Sequence, residues 1–449
     1  MRIKFFFFLN SLLTVCFLHS QTEDIKLNDI RILASHNSYK KLPNKKVIQF
    51  LGKFKKQLGK ENDPIQLDYG HVGIEEQLDN YHVRGLELDI YHDPKGKLYR
   101  KRKINRFIFG QKVRVKNETM NQPGFKVLHI PDIDFESNYT TLIESLVDLK
   151  RWSDKNPGHS PVFVNIEAKG YSAADESGFL RFIGFKRAIR FDSLAYLQLD
   201  EEIKSVFDLD RIFTPSILRS DFNTIDERLT KTGWPKLNEC LGKIIFILQG
   251  NNDDIYKRSI DRKEDRVLFV YSEPGEENTA FILRNSSKGN ENEISELAKK
   301  FIIRSRADSG THQSRNNDYS DYHSVLKSNA QIISTDYYKA DLRIVSVFPP
   351  SDHKYENKLL PYLQQVKKFI KEKGVNCTNK SIPANDVAEA IIDYANKNEC
   401  DLIIQMNKKD KSLGEMFSGT MSEKMVDISN IPILTINPMK RESYSTGIH

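Results

Sequence analysis

The chain has 449 residues, 39% of them hydrophobic and 29% charged, with a formal net charge of +7. That composition excludes collagenous, low-complexity and disordered chains, and the length accommodates one large barrel plus a smaller unit. No long Lys/Arg block and no nucleic-acid motif stands out, so the positive balance reads as scattered surface charge. It also suits peripheral contact with a membrane surface, while nucleic acid is not an expected partner. Beyond the N-terminal Cys16, Cys240, Cys377 and Cys400 remain. They are odd in number and lack metal spacing, which predicts neither a disulfide framework nor a zinc site.

In chain order, a basic start with Arg2 and Lys4 precedes an apolar run over residues 5–18, and Ser20-Gln21 opens polar sequence. This predicts a secretory signal over residues 1–20 and export to periplasm or medium. A lipoprotein site at Leu13-Thr14-Val15-Cys16 ranks second because Val15 is bulky. Eight β-rich runs follow, at residues 32–34, 85–90, 126–128, 162–166, 243–248, 267–272, 301–307 and 331–335, with helical spacing over 139–153 and 293–300. Alternating runs of this number predict a TIM-like (β/α)8 barrel over residues 21–338. Residues 49–63 and 95–125 read as long loops. Past residue 338, strands at 342–347, 374–381, 401–406 and 431–436 alternate with helices at 355–373, 385–397 and 419–428. They predict a small parallel α/β unit over residues 339–438, followed by a polar tail over 439–449.

Polar residues gather where the barrel runs end, the rim on which such folds carry their chemistry. The first run ends in Ala34-Ser35-His36-Asn37, the second reads Glu87-Leu88-Asp89, the third ends in His129 and the fourth in Glu167. Strand alternation turns Leu86, Leu88 and Ile90 toward helices and Glu87 and Asp89 inward. Three carboxylates with the Asn37 amide form a hard, all-oxygen ligand set that favours Ca²⁺ over zinc. His36 and His129 suit acid and base work near neutral pH. Lys169 and Arg306 are cations placed to hold a phosphate or ring hydroxyls. Arg306 with Asp308 reads more readily as an ion pair, and Asp336 as a group that orients a histidine or touches substrate.

Ser35-His36-Asn37-Ser38-Tyr39, Arg84-Gly85-Leu86-Glu87-Leu88-Asp89-Ile90, Phe125-Lys126-Val127-Leu128-His129, Pro131-Asp132-Ile133-Asp134-Phe135, Gly233-Trp234-Pro235 and Arg304-Ser305-Arg306-Ala307-Asp308 resemble the calcium-dependent phosphoinositide-specific phospholipase C family of bacteria. The resemblance runs over residues 28–338. It implies a barrel that cleaves inositol phospholipids between glycerol and inositol phosphate. It further implies His36 and His129 as the active-site histidines and Asn37, Glu87 and Asp89 as calcium ligands, with Glu167 binding calcium or taking the proton. A glycerophosphodiesterase is the runner-up, but that family's first strand ends His-Arg-Gly where this chain has His36-Asn37-Ser38. The segments Asp401-Leu402-Ile403-Ile404-Gln405-Met406, Ser418-Gly419-Thr420 and Ile431-Pro432-Ile433-Leu434-Thr435-Ile436 resemble the end of a universal stress protein domain. Its opening strand and helix are missing and Gly414 stands nearly alone, so this reads as a truncated version of that fold, and bound nucleotide is not expected. A stress-related binding protein with an inactive barrel is the non-enzymatic alternative.

Overall fold

Short runs of β-branched and aromatic residues, each closed by a polar residue or glycine, build the fold. The protein is seen as a computed structural model. It describes residues 25–58, 63–110, 113–114, 117–308, 310–316, 318–338, 341–348, 350, 361, 363–368, 376–398, 400, 402–406 and 421–436. The expected signal at 1–20, the tail at 439–449, Gly414 and Ser418-Gly419-Thr420 lie outside them, as does most of the helix expected at 355–373.

The strands are β1 (Ile32–Ser35), β2 (Gly85–Asp93), β3 (Gly124–Val127), β4 (Val162–Ala168), β5 (Ile244–Gly250), β6 (Leu268–Val270), β7 (Phe281–Leu283), β8 (Ile302–Arg306) and β9 (Ile332–Thr335). Among the described residues all but β3 are parallel neighbours in chain order, with β9 returning to β1 so that Ile332 lies opposite Ile32. One parallel bridge, Tyr271 to Phe281, links the two ends and nearly closes the barrel.

Two of the sequence expectations change. The run at 126–128 is a strand, but it pairs antiparallel with the end of β2, Val127 opposite Ile90, and is not a barrel member. The eighth barrel strand is instead β7, a short Phe-Ile-Leu run that the eight expected runs leave out. A parallel and an antiparallel strand have the same side-chain period, so direction is settled by the partner and not by the run itself. The expected loops also hold short helices, Lys45–Gly52, Lys55–Leu58 and Lys103–Phe109.

Alternation sorts the side chains. Leu86, Leu88 and Ile90 of β2 and Val162, Val164 and Ile166 of β4 pack against two helices, α1 (Leu142–Lys155) and α2 (Ser193–Val206). Each helix starts at a side chain that accepts from its first turn, Thr141 from the Glu144 N–H and Asp192 from the Ala195 N–H. Full burial of each such aliphatic side chain contributes about 1.5–3 kcal/mol. On the opposite face Phe163, Ile245, Ile247 and Phe269 join a second apolar cluster with Phe281. The next inward positions along β2 and β4 are polar, Glu87 and Asn165.

Contacts divide the chain into residues 1–338 and 339–449. In the second unit β10 (Asp341–Phe348) pairs in parallel with β11 (Asn376–Pro383), and β12 (Ile403–Met406) with β13 (Ile433–Ile436). Helices α3 (Val387–Lys397) and α4 (Met421–Ile428) bury Ala388, Ile392, Ala395 and Met425 with Ile403. Among the described residues Cys240 is a buried free thiol. No described helix is long and apolar enough to cross a membrane.

Two measurements test this packing. A Cβ at Gly85 would lie 2.4 Å from the Ala34 Cβ and 3.1 Å from its Cα. Gly85→Ala should therefore force β1 and β2 apart and cost about 1–3 kcal/mol in urea unfolding; an unchanged midpoint would mean the strands can part freely. Glu202 of α2 accepts the Phe125 N–H at 3.2 Å and so docks β3. Burial pushes its carboxyl up to about 7 against the pull of that N–H and of Lys126. A pKa raised by folding gives stability that is full below the unfolded value and is lost as pH rises through the folded one. Between about pH 5 and pH 8 the native chain should lose on the order of 1–3 kcal/mol relative to Glu202→Gln, and parallel pH profiles for the two would refute it.

Candidate active site at the barrel mouth

Where β1 ends, the chain turns through Asn37, whose φ of 49° lies in the left-handed region that asparagine tolerates. The turn is fastened by the His36 N–H on Thr335 O and the Ser38 N–H on Glu87 O, at 3.0 and 2.9 Å. His36 is thereby held against β9 and β2. Asn37 is buried and donates to the Tyr69 hydroxyl at 2.7 Å, while its Oδ1 lies 3.5 Å from the Tyr39 hydroxyl. Burial and the Asp89 charge keep that Tyr39 phenol protonated.

The parallel register sets Glu87 beside Asn165 and Asp89 beside Glu167. One oxygen from each of Glu87, Asp89 and Glu167 lies within 4.8 Å of the others. Arg304 donates to Glu87 Oε2 and, at 3.1 Å, to Ser334, while Asn165 donates to Glu87 Oε1 at 3.1 Å. Lys169 Nζ sits 2.6 Å from Glu167 Oε1 and 3.1 Å from Asp89 Oδ2. Burial alone would lower Lys169, but Asp89 and Glu167 hold its ammonium well above the usual lysine range. Asp89 is fully buried and neither of its oxygens accepts a hydrogen bond; burial pushes its carboxyl up to about 7 against the pull of Lys169. A buried carboxylate without hydrogen bonds, flanked by two more, is an all-oxygen donor set that fits a hard cation such as Ca²⁺.

Both histidines rest on carboxylates. His36 Nδ1 is 2.7 Å from Asp336 Oδ1, and His129 Nδ1 is 2.8 Å from Asp134 Oδ2. A carboxylate only accepts, so each Nδ1 carries a proton and Nε2 is the nitrogen left to exchange one. His36 Nε2 looks toward Glu87 at 3.9 Å. Burial and the Arg306 charge lower the pKa of His36 well below its ordinary value. The charge of His129 is felt at both His36 and Asp89, so the two histidines and the acidic cluster share one site.

The residues chosen from the sequence fall into two connected sets. Glu87, Asp89, Glu167 and Lys169 form the acidic cluster with its cation. Arg306 Nη2 bridges Asp308 at 2.8 Å and Asp336 at 2.9 Å, and the Asp336 N–H donates to Asp308 Oδ2 at 3.0 Å. This holds the carboxylate that in turn holds His36. His129 reaches the site by another route than the strand end expected. β2 overhangs the rim, β3 runs back along the overhang, and His129 follows two residues after β3.

Sequence reasoning missed Asp134, Arg304 and Lys40. Asp134 stands five residues after His129 and is also approached by the buried Lys40 ammonium at 3.3 Å. Arg304 shares its strand face with Arg306, and a second inward cation at that spacing was the available signal. Cutting the Arg304–Glu87 pair leaves a buried charge unmatched. Arg304→Met should lower unfolding free energy by about 3–5 kcal/mol, and adding Glu87→Gln should recover part of it. Additive losses in that cycle would show that the pair is not coupled.

Among curated proteins no match is found. Two solved structures are similar at low identity. A calcium-dependent phosphoinositol-specific phospholipase C from a Gram-negative Pseudomonas species, in a myoinositol complex, is 17% identical with a TM-score of 0.43, over 71% of this chain and 92% of its own. The Ca²⁺-dependent phosphatidylinositol-specific phospholipase C of Streptomyces antibioticus is 14% identical with a TM-score of 0.43, over 70% of this chain and 95% of its own. Residues 332–437 match the universal stress protein family, so the C-terminal unit is of that kind. Its match begins on β9, which the structure pairs with β1 and β8 in the barrel. Residues 25–351 match the model for Ca²⁺-dependent phosphoinositide phospholipase C, and the chain belongs to that family.

Proposed function

We propose that the chain cleaves phosphatidylinositol-type lipids between glycerol and phosphate, releasing diacylglycerol and a cyclic inositol phosphate. The observation that carries this reading is the pair of histidines, each oriented through Nδ1 by a carboxylate, beside a buried acidic cluster. Glu87, Asp89 and Glu167, with the neighbouring Asn37 amide, would hold Ca²⁺, which when bound supplies charge for the phosphate oxygens and lowers the pKa of the attacking hydroxyl.

The protein's own groups carry the proton traffic. His36 is held neutral by burial and Arg306, so its Nε2 lone pair takes the proton of the inositol 2-hydroxyl. The freed oxygen attacks phosphorus as the bond to the glycerol oxygen breaks. His129 gives an Nε2 proton to that leaving oxygen. Asp336 and Asp134 keep both rings in the working tautomer. Asp308 and Arg306 fix Asp336 in turn, so their part is positioning. Glu167 is already engaged by the Lys169 ammonium at 2.6 Å, which favours His36 as the proton acceptor. With the secretory signal expected over residues 1–20, the reaction belongs outside the cytoplasm.

The test is diacylglycerol release from phosphatidylinositol by the full chain, with Ca²⁺ and with EGTA, beside His36→Ala and His129→Ala. Release should require Ca²⁺, and each variant should fall by about 10²–10⁴-fold. Turnover of water-soluble glycerophosphodiesters without release from any inositol lipid would move the chain to the runner-up reaction.

A further inference from the structure

The net positive charge, read from the sequence as scattered, is concentrated. Residues 95–116 hold ten Lys and Arg and no Asp or Glu, and residues 177–191 hold four and none. Together they exceed the +7 of the whole chain, so the remainder is net negative. Both segments lie in connections that leave the C-terminal ends of barrel strands, the first after β2 and the second after β4.

Large apolar side chains stand out from the same connections. Phe182 is 88% exposed and Phe179 69%, on the short helix Gly178–Phe182. Phe107, on the helix Lys103–Phe109, is 48% exposed, and Tyr171, just past β4, 50%. The two connections are built as one surface. Asp132 accepts the backbone N–H of Lys103 at 3.1 Å and of Lys186 at 2.8 Å, and the Phe107 and Phe185 rings lie 6.2 Å apart. That surface is tied to the reaction centre. Asp132 sits in the turn between His129 and Asp134, and the Tyr91 hydroxyl lies 3.1 Å from the His129 carbonyl oxygen and 3.4 Å from that of Tyr171. Arg106, Arg181 and Arg190 are exposed among these rings.

We infer that this rim is a docking surface for an anionic lipid bilayer, with Phe179 and Phe182 entering the interface and the arginines pairing with headgroup charge. Exposed aromatics alone would favour any apolar partner, and cations alone any polyanion. Interleaved at one rim, they match the boundary of an anionic bilayer, where apolar chains lie under negative charge. Docking by this face would point the barrel mouth, with His36 and His129, at the lipid. The inference rests on the lipid-cleaving reading of the site but adds that the bilayer is recognised through lipids other than the substrate.

The experiment is co-sedimentation of the full chain with phosphatidylglycerol–phosphatidylcholine vesicles that contain no inositol lipid, in EGTA, beside vesicles of phosphatidylcholine alone. The native chain should bind the anionic vesicles and lose affinity as salt rises. Phe179→Ser with Phe182→Ser should weaken binding at least tenfold, and so should Arg106→Gln with Arg181→Gln, while both double variants keep native hydrolysis of a water-soluble inositol phosphodiester. Native-strength binding by the phenylalanine variant, with loss only in the arginine variant, would leave a plain polyanion site and overturn the assignment. Native binding by both variants, or none by the native chain, would also overturn it. Because binding is read without substrate, a chain that hydrolyses phosphatidylinositol but ignores these vesicles sinks the rim alone. One that binds them and hydrolyses nothing sinks the reaction alone.

Discussion

Three carboxylates pointing into the barrel from two adjacent strands are the constraint to which the rest of the mouth responds. Glu87 and Asp89 are almost wholly buried, with Glu167 beside them, and carboxylates removed from water are costly unless charge or hydrogen bonds meet them. Arg304 meets Glu87 from across the barrel, joining residues 217 apart in sequence. Lys169 meets Asp89 and Glu167 from the end of β4. Asp89 keeps two oxygens without hydrogen bonds, an arrangement that could hold a hard cation. A slip of β2 by one residue would turn Glu87 and Asp89 away from Glu167 and toward α1 and α2, so the chemistry depends on the apolar faces of Leu86, Leu88, Val164 and Ile166 that fix that register.

The histidines answer the same field with a second device. Each gives its Nδ1 to a carboxylate, and each carboxylate is itself held by a cation, Asp336 by Arg306 and Asp134 by the buried Lys40. Cation, carboxylate and imidazole thus form two short chains beside the acidic cluster. Fixing the tautomer in this way costs no reorganisation when a proton moves, which is what a site for acid and base work requires. The two chains are supported by different parts of the fold, β8 and β9 for His36, and the turn after β3 for His129.

The strand Ile332–Thr335 marks where two families meet. Its residues fall within both matches, 25–351 for the phospholipase and 332–437 for the universal stress protein. In the structure it pairs on both sides within the barrel, and the inward face ends in Asp336, on which His36 depends. A strand buried between two neighbours cannot also open another sheet. Among the described residues the strands of the stress-protein unit stand as two separate parallel pairs.

Local pattern was enough to mark the apolar runs, their alternation and the residue types that gather where they end, because side-chain period and composition are properties of neighbouring residues. On those grounds alone His36, Glu87, Asp89 and Glu167 could be placed at one rim. The direction of the run at 126–128 could not, since an antiparallel strand on the β2 overhang and a parallel barrel strand have the same period. Nor could the place of the three-residue β7, which is set by its neighbours β8 and Tyr271. The partners of the site lay furthest from view: Arg304 on Glu87, Asp134 on His129 and Arg306 on Asp336 are pairings of buried charge. Burial decides which charges must be matched, and only the folded chain decides which are buried.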